Sequence, residues 1–248
     1  MKKIFFTWII IIALPVFPGN YSALQKGDEI LKKVDRNLFP VSFESYRKLI
    51  NIEPGNKKKE YVLWTAKKGH DKVVSTFLSP KSEVGRSTLR LGDNMWLYIP
   101  KVGKPIRITS LQSVIGGIFN NSDIMRLDYS KEYHTDDFKV KEDQYVLRLK
   151  ANNNSVAYDK LIMRVEKSTI VPSGIECYTA SGMLIKTLHF KNTMVFADGF
   201  RRPSVVETDS PLHKGYKSIM IFAKIKKRTF PDEVFTIHAL PEVKDLRQ

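Results

Sequence analysis

The chain has 248 residues, of which 42% are hydrophobic and 11% aromatic, and it carries a formal charge of +15 at pH 7. That composition excludes a disordered chain, which lacks the apolar side chains needed to form a core. The lone cysteine excludes an intrachain disulfide, and the positive surface favours anionic partners such as phospholipid headgroups, acidic glycans or an acidic protein face.

In chain order, Lys2 and Lys3 precede an apolar run from Ile4 to Phe17, after which Pro18 and Gly19 interrupt any helix. This is the pattern of an export signal, since a spanning helix needs about 20 apolar residues. Residues 1–23 are therefore expected to be a cleaved signal peptide ending at Ala23. An earlier cut stays open because Tyr21 is bulky for its place. Residues 24–248 form the single expected mature domain. Loss of Lys2 and Lys3 lowers the charge by two, to about +13. Nucleic acid, the usual partner of such a charge, is not expected for an exported protein. Cys177 lies far from the signal, so the lipid anchor of a bacterial lipoprotein, which needs a cysteine directly after the cut, is not expected either.

Leu24 to Asn37 reads as an amphipathic helix, with Ile30, Leu31, Val34 and Leu38 along one stripe and Pro40 as its stop. The period then changes to two. Strand-like segments run from Ser42 to Lys226, joined by short turns such as Glu53-Pro54-Gly55-Asn56, Gly92-Asp93 and Ala180-Ser181-Gly182. Tight turns without helical crossovers predict a mainly β fold, a single antiparallel meandering sheet of roughly eleven strands. Two interruptions stand out. Ser110 to Asp128 carries Gly116-Gly117 and an apolar set including Ile118, Phe119 and Met125; Pro231-Asp232-Glu233 resembles a helix start.

The clearest local geometry is Arg86–Pro100. A two-residue Gly92-Asp93 turn pairs Leu91 with Asn94, Leu89 with Trp96 and Ser87 with Tyr98. Leu89, Leu91, Trp96 and Tyr98 then share a face, with Thr88, Arg90, Met95 and Leu97 on the other. The aromatic face is taken as concave, although Met95, Leu97 and Ile99 make the second strand apolar on both sides. The same alternation groups Val62, Trp64 and Ala66, then Tyr145, Leu147 and Leu149, then Leu161, Met163 and Val165. An ordinary sandwich or barrel core accounts for these residues as well.

Catalytic chemistry finds little support. His70, His134, His189, His213 and His238 are scattered, with no HExxH, no GxSxG and no metal-ligand spacing. His134 with Asp136 and Asp137 is the nearest thing to a cluster. No catalytic residue, metal or cofactor is assigned.

Phe77-Leu78-Ser79-Pro80, Gly85 and Leu89-Arg90-Leu91-Gly92-Asp93-Asn94-Met95-Trp96-Leu97-Tyr98-Ile99-Pro100, followed by the basic stretch Lys104–Ile108, resemble the signature of LolA/LolB-like outer-membrane lipoprotein-sorting proteins. Asn121-Ser122-Asp123-Ile124 with Asp128, Glu176–Gly182, Pro203 with Glu207, and Phe235-Thr236-Ile237 with Leu240 extend the resemblance in order over roughly residues 23 to 243. The chain departs from the pattern at Asn121 and Ile124, where the family has Gly and Phe. The resemblance implies an unclosed antiparallel β-barrel whose concave face is plugged by the N-terminal helix and short helices. It also implies a monomeric periplasmic carrier that holds lipid or lipoprotein acyl chains and meets an inner-membrane transporter and an outer-membrane acceptor. The expected groove floor is Trp64, Leu89, Leu91, Trp96 and Tyr98, flanked by Leu147 and Met163. The expected lid is Ile118, Phe119 and Met125, hinged at Gly116-Gly117, with Arg107 or Arg126 at the rim for a phosphate. Peripheral membrane contact is a further expected interaction, and the alternatives are a non-carrier accessory binding protein of an inner-membrane exporter or an acidic-glycan binding module.

Overall fold

The computed structural model describes residues 18–246; residues 1–17 of the expected signal segment lie outside them. Helix α1 spans Pro18–Leu38, starting before the expected Leu24. Pro18 and Gly19 lie within the described helix rather than interrupting it. Its stripe of Ile30, Leu31, Val34 and Leu38 is buried.

Two antiparallel meanders follow. The first is β1 (Phe43–Glu53), β2 (Lys57–Lys68), β3 (Lys72–Ser79), β4 (Ser87–Leu91), β5 (Asn94–Tyr98) and β6 (Ile106–Ile108). The second is β7 (Tyr133–Val140), β8 (Gln144–Ala151), β9 (Lys160–Glu166), β10 (Pro172–Tyr178), β11 (Leu184–Val195), β12 (Arg201–Asp209) and β13 (Lys217–Lys227). Between them lie the single-turn helices α2 (Asn121–Ile124) and α3 (Tyr129–Glu132). β13 pairs with β1, fusing both meanders into one 13-stranded sheet in the order β6-β5-β4-β3-β2-β1-β13-β12-β11-β10-β9-β8-β7. No ladder joins β6 to β7, so the sheet stays open at those two edges. The predicted antiparallel, unclosed architecture is present. Thirteen strands exceed the roughly eleven expected, and the three-residue β6 is too short for alternation to reveal.

The register of the predicted hairpin holds: Ser87 opposes Tyr98, Leu89 opposes Trp96 and Leu91 opposes Asn94. Each face of the sheet has its own cover. On the inner face α1, α2 and α3 lie over Leu49, Leu147, Leu149, Leu161, Met163, Met220 and Phe222. Gly27 lets α1 approach β7 closely, since a Cβ there would collide with Thr135, and the Thr135 amide donates to Asp28 at 2.7 Å. On the outer face the C-terminal segment folds back, through 3₁₀ turns at Asp232–Phe235 and Val243–Asp245, onto Trp64, Ala66, Val74 and Leu89. Phe230 meets the Trp64 ring edge-on at 6.0 Å. Glu44 accepts from Trp64 Nε1 at 3.4 Å and from Arg228 at 2.7 Å.

Candidate functional site: a plugged inner cavity

β6 and β7 are consecutive in sequence yet lie at opposite edges of the sheet. The connector between them, residues 109–132, dips through the interior and becomes the plug. Its first bend places Ile115 and Gly116 at positive φ (52° and 69°), and Gly117 packs so close to Asn51 that a Cβ would overlap its side chain. Asn51 donates to Ile115 O at 3.3 Å and accepts from Ser218 at 2.8 Å, and Ser218 in turn accepts from the Ile118 amide at 3.0 Å. The glycine pair is therefore pinned to β1 and β13 rather than standing free as the hinge expected from sequence. A capping box opens α2: Asn120 accepts from the Asp123 amide at 3.2 Å, and Asp123 accepts from the Asn120 amide at 2.9 Å. Asp35 of α1 accepts from the Tyr129 and Ser130 amides at 2.7 and 2.9 Å, so α1 caps α3. Burial pushes the Asp35 carboxyl up to about 6.

Cations rising from the sheet hold the plug. Arg47 donates to Ile124 O at 3.0 Å, and Arg90 to Met125 O at 3.2 Å and to Glu132 at 2.5 Å. Lys186 donates to Ile118 O at 3.0 Å and pairs with Asp123, and Lys67 pairs with Asp128. Within the plug, Arg126 bridges Glu132 at 2.6 Å and Asp123 at 3.7 Å and lies 4.6 Å from the Tyr129 ring centroid. Arg47 and Arg202 differ from the rest: among the described residues neither has a carboxylate within ion-pair distance. Arg202, 1% exposed, donates to Pro203 O at 2.9 Å and Leu38 O at 2.6 Å, capping the end of α1. Its guanidinium lies 4.3 Å from the Phe39 ring and 4.0 Å from the Phe222 ring. Burial lowers Arg47 to about 10, and burial with neighbouring Arg47 lowers Arg202 to about 9.

Between plug and sheet lies a cavity of about 40 Å³, walled by Leu38, Phe39, Phe119 and Tyr129 on one side and Leu188, Phe190, Val206, Met220 and Phe222 on the other. Asp123, Arg126 and Arg202 supply its polar lining. This space suits one or two water-sized groups. Anything longer does not fit beside the plug as it is placed.

The residues predicted to form one groove fall on opposite faces. Phe119, Met125, Leu147 and Met163 are in the inner core and Ile118 is buried beside it, but only Phe119 lines the cavity. Trp64 and Leu89, with Leu91, Trp96 and Tyr98 packed against them, belong to the outer cluster under the C-terminal segment. Alternation paired them correctly; the aromatic face is the convex one. Arg90, on the face opposite the aromatic one, is buried inside. The rim candidates also move: Arg126 is buried in ion pairs, and Arg107 points outward from the β6 edge and bonds to Asn94. Leu188, Phe190, Val206, Met220, Phe222 and Arg202 were missed. Their alternation along β11–β13 marks a dry face, but nothing local marks where the plug leaves it uncovered. His134 bonds to Asn152 at 2.7 Å on edge strand β7. Among the described residues no three His, Cys, Asp or Glu side chains are placed to hold a metal ion.

A family model described as an uncharacterized protein matches residues 69–242. No curated protein matches the chain. Among solved structures, a LolA superfamily protein from Nitrosomonas europaea is 28% identical with a TM-score of 0.76, over 85% of this chain and 97% of its own. A putative outer membrane lipoprotein-sorting protein domain from Vibrio parahaemolyticus is 18% identical with a TM-score of 0.75, over 88% and 99%. A DUF1329 family protein from Desulfovibrio piger is 20% identical with a TM-score of 0.76, over 88% and 99%. The latter two likenesses concern the fold.

Proposed function

We propose that this chain, which is LolA-like, is a periplasmic carrier which shelters the acyl chain of a lipid or lipoprotein between its sheet and its plug. The observation that carries this reading is the plugged inner cavity. Its walls are apolar, and the plug that fills most of the space is a connector of the same chain, fastened at its centre by Arg47, Arg90 and Lys186 to main-chain carbonyls. Such a segment has two states. With the plug in, Phe119 and Tyr129 cover the sheet; with the plug out, hydrocarbon does. Each methylene moved from water is worth about 0.8 kcal/mol, so part of one chain offsets several lost hydrogen bonds. Transfer then needs no covalent step, only a modest difference between two packings. A donor transporter at the inner membrane and an acceptor at the outer membrane complete the cycle, with the basic surface drawn to anionic faces of either.

Native mass spectrometry of protein purified from the periplasm, followed by lipid extraction and uptake of a fluorescent fatty acid, tests this reading. A co-purified lipid and saturable uptake that persists at high salt are expected, because an apolar cavity is insensitive to screening. Clean apo protein that takes up no probe would refute it. Uptake that fades with salt would favour surface docking by an accessory module instead.

A further inference from the structure

Buried guanidinium groups are retained only where something satisfies them, because removing a cation from water costs several kcal/mol. Four of the inner cations (Lys67, Arg90, Arg126 and Lys186) share three carboxylates, Asp123, Asp128 and Glu132. Asp35 caps α3 and reaches neither remaining arginine. Arg47 and Arg202 are left over. Both lie against the Phe222 ring, at 5.8 and 4.0 Å, so the surplus positive charge sits at one place. Arg202 opens onto the cavity. Of its five N–H donors, one on Nε and one on Nη1 reach carbonyls, and no carboxylate among the described residues lies within ion-pair distance of it. Nε of Arg47 is buried without a partner.

We propose that Arg202 is an oxyanion site, so that the ligand is a single-chain amphiphile bound head inward, its carboxylate or phosphate monoester on Arg202 and its tail along Leu188, Phe190 and Val206. This inference rests on the carrier reading and narrows it. An ionised head supplies the missing counter-charge by charge-assisted hydrogen bonds of the kind arginine makes best. The aromatic corner of Phe39 and Phe222 holds the guanidinium plane at the cavity wall, where an oxyanion can meet it. Asp123, also at the cavity wall, is already neutralised by Lys186 and Arg126 and offers little repulsion. The same anion lies near Arg47, whose bond to Ile124 O closes the plug. Head binding therefore competes with the closed state.

The test uses the full purified chain at pH 8 with a bound fluorescent acyl probe, displaced by dodecanoic acid, dodecyl phosphate or dodecanol. One or both anions are expected to displace it at about tenfold lower concentration than the alcohol, and the effective anion names the head. In Arg202→Met this preference is expected to shrink to within about twofold while the alcohol competes as before. Equal competition by acid, phosphate and alcohol in the wild type, a comparison that needs no variant, would overturn the proposal. So would a preference that survives Arg202→Met. Failure of all three, and of the probe, to bind would instead remove the carrier reading and this inference with it.

Discussion

Arg47 Nη1 and the Ile124 carbonyl lie 3.0 Å apart, a single bond that ties the centre of β1 to the centre of the plug. The guanidinium has no carboxylate of its own and leaves Nε unsatisfied, so it stabilises the closed plug more than it stabilises the fold. Arg47→Met removes the latch and the burial cost together. Global stability is expected to change by no more than about 1 kcal/mol. Amide exchange at residues 121–132 should accelerate markedly. Uniformly faster exchange across the sheet would contradict a local latch.

The two faces of the sheet make opposite predictions for uptake. Val206 and Leu188 wall the cavity, whereas Trp96 packs on the outer cluster. Val206→Phe fills the space and is expected to weaken fluorescent fatty-acid uptake about tenfold with β circular dichroism retained. Trp96→Ala should leave uptake within about twofold. Reversal of that order would mean the convex face carries the ligand.

Lys186 and Asp123 are 2% and 3% exposed. Breaking such a buried pair from one side leaves Asp123 only the longer ion-pair contact to Arg126, at 3.7 Å, so Lys186→Met is expected to cost about 3 kcal/mol in urea unfolding. The double variant Lys186→Met with Asp123→Asn removes both charges and should recover part of that loss. A double variant as unstable as the sum of the singles would show that the pair does not act as a unit.

Asp35 carries the pH dependence. Its folded carboxyl is raised to about 6 by burial, against 3.8 when free. The folded state therefore binds the proton more tightly than the unfolded one. The stability contributed by the protonated form is present below about 4 and is lost as pH rises through 6. The difference in Tm between wild type and Asp35→Asn should accordingly move against the wild type between pH 4 and 7. A difference that stays flat, or moves the other way, would show that the amide hydrogen bonds of Tyr129 and Ser130 outweigh burial.

Much of the fold was legible because strand alternation and turn chemistry are local. The pairing of Leu89 with Trp96 and the stripe of α1 follow from spacing alone. What alternation cannot say is which face curves inward. That depends on Phe230, Phe235 and Leu240, which reach back from the far end of the chain to cover Trp64 and Leu89. Apolarity also misleads at the inner face, where Arg47, Lys67, Arg90 and Lys186 are buried because the plug presents carbonyls and carboxylates to them. The cavity was legible only in part. Phe119 stood out beside the glycine pair, but Arg202 looks in sequence like one more surface cation in a basic chain.

Because residues 109–132 are held covalently by strands at both rims, the protein carries its own competitor at an effective concentration that dilution cannot change. Such intramolecular occupants commonly act at millimolar levels set by tether length. If the cavity takes cargo as proposed, its affinity is a ratio between a tethered guest and a free one, adjustable through loop length by fractions of a kcal/mol. Under the proposed function, the emptied protein would refill itself at once and would not show bare hydrocarbon-binding surface to its neighbours.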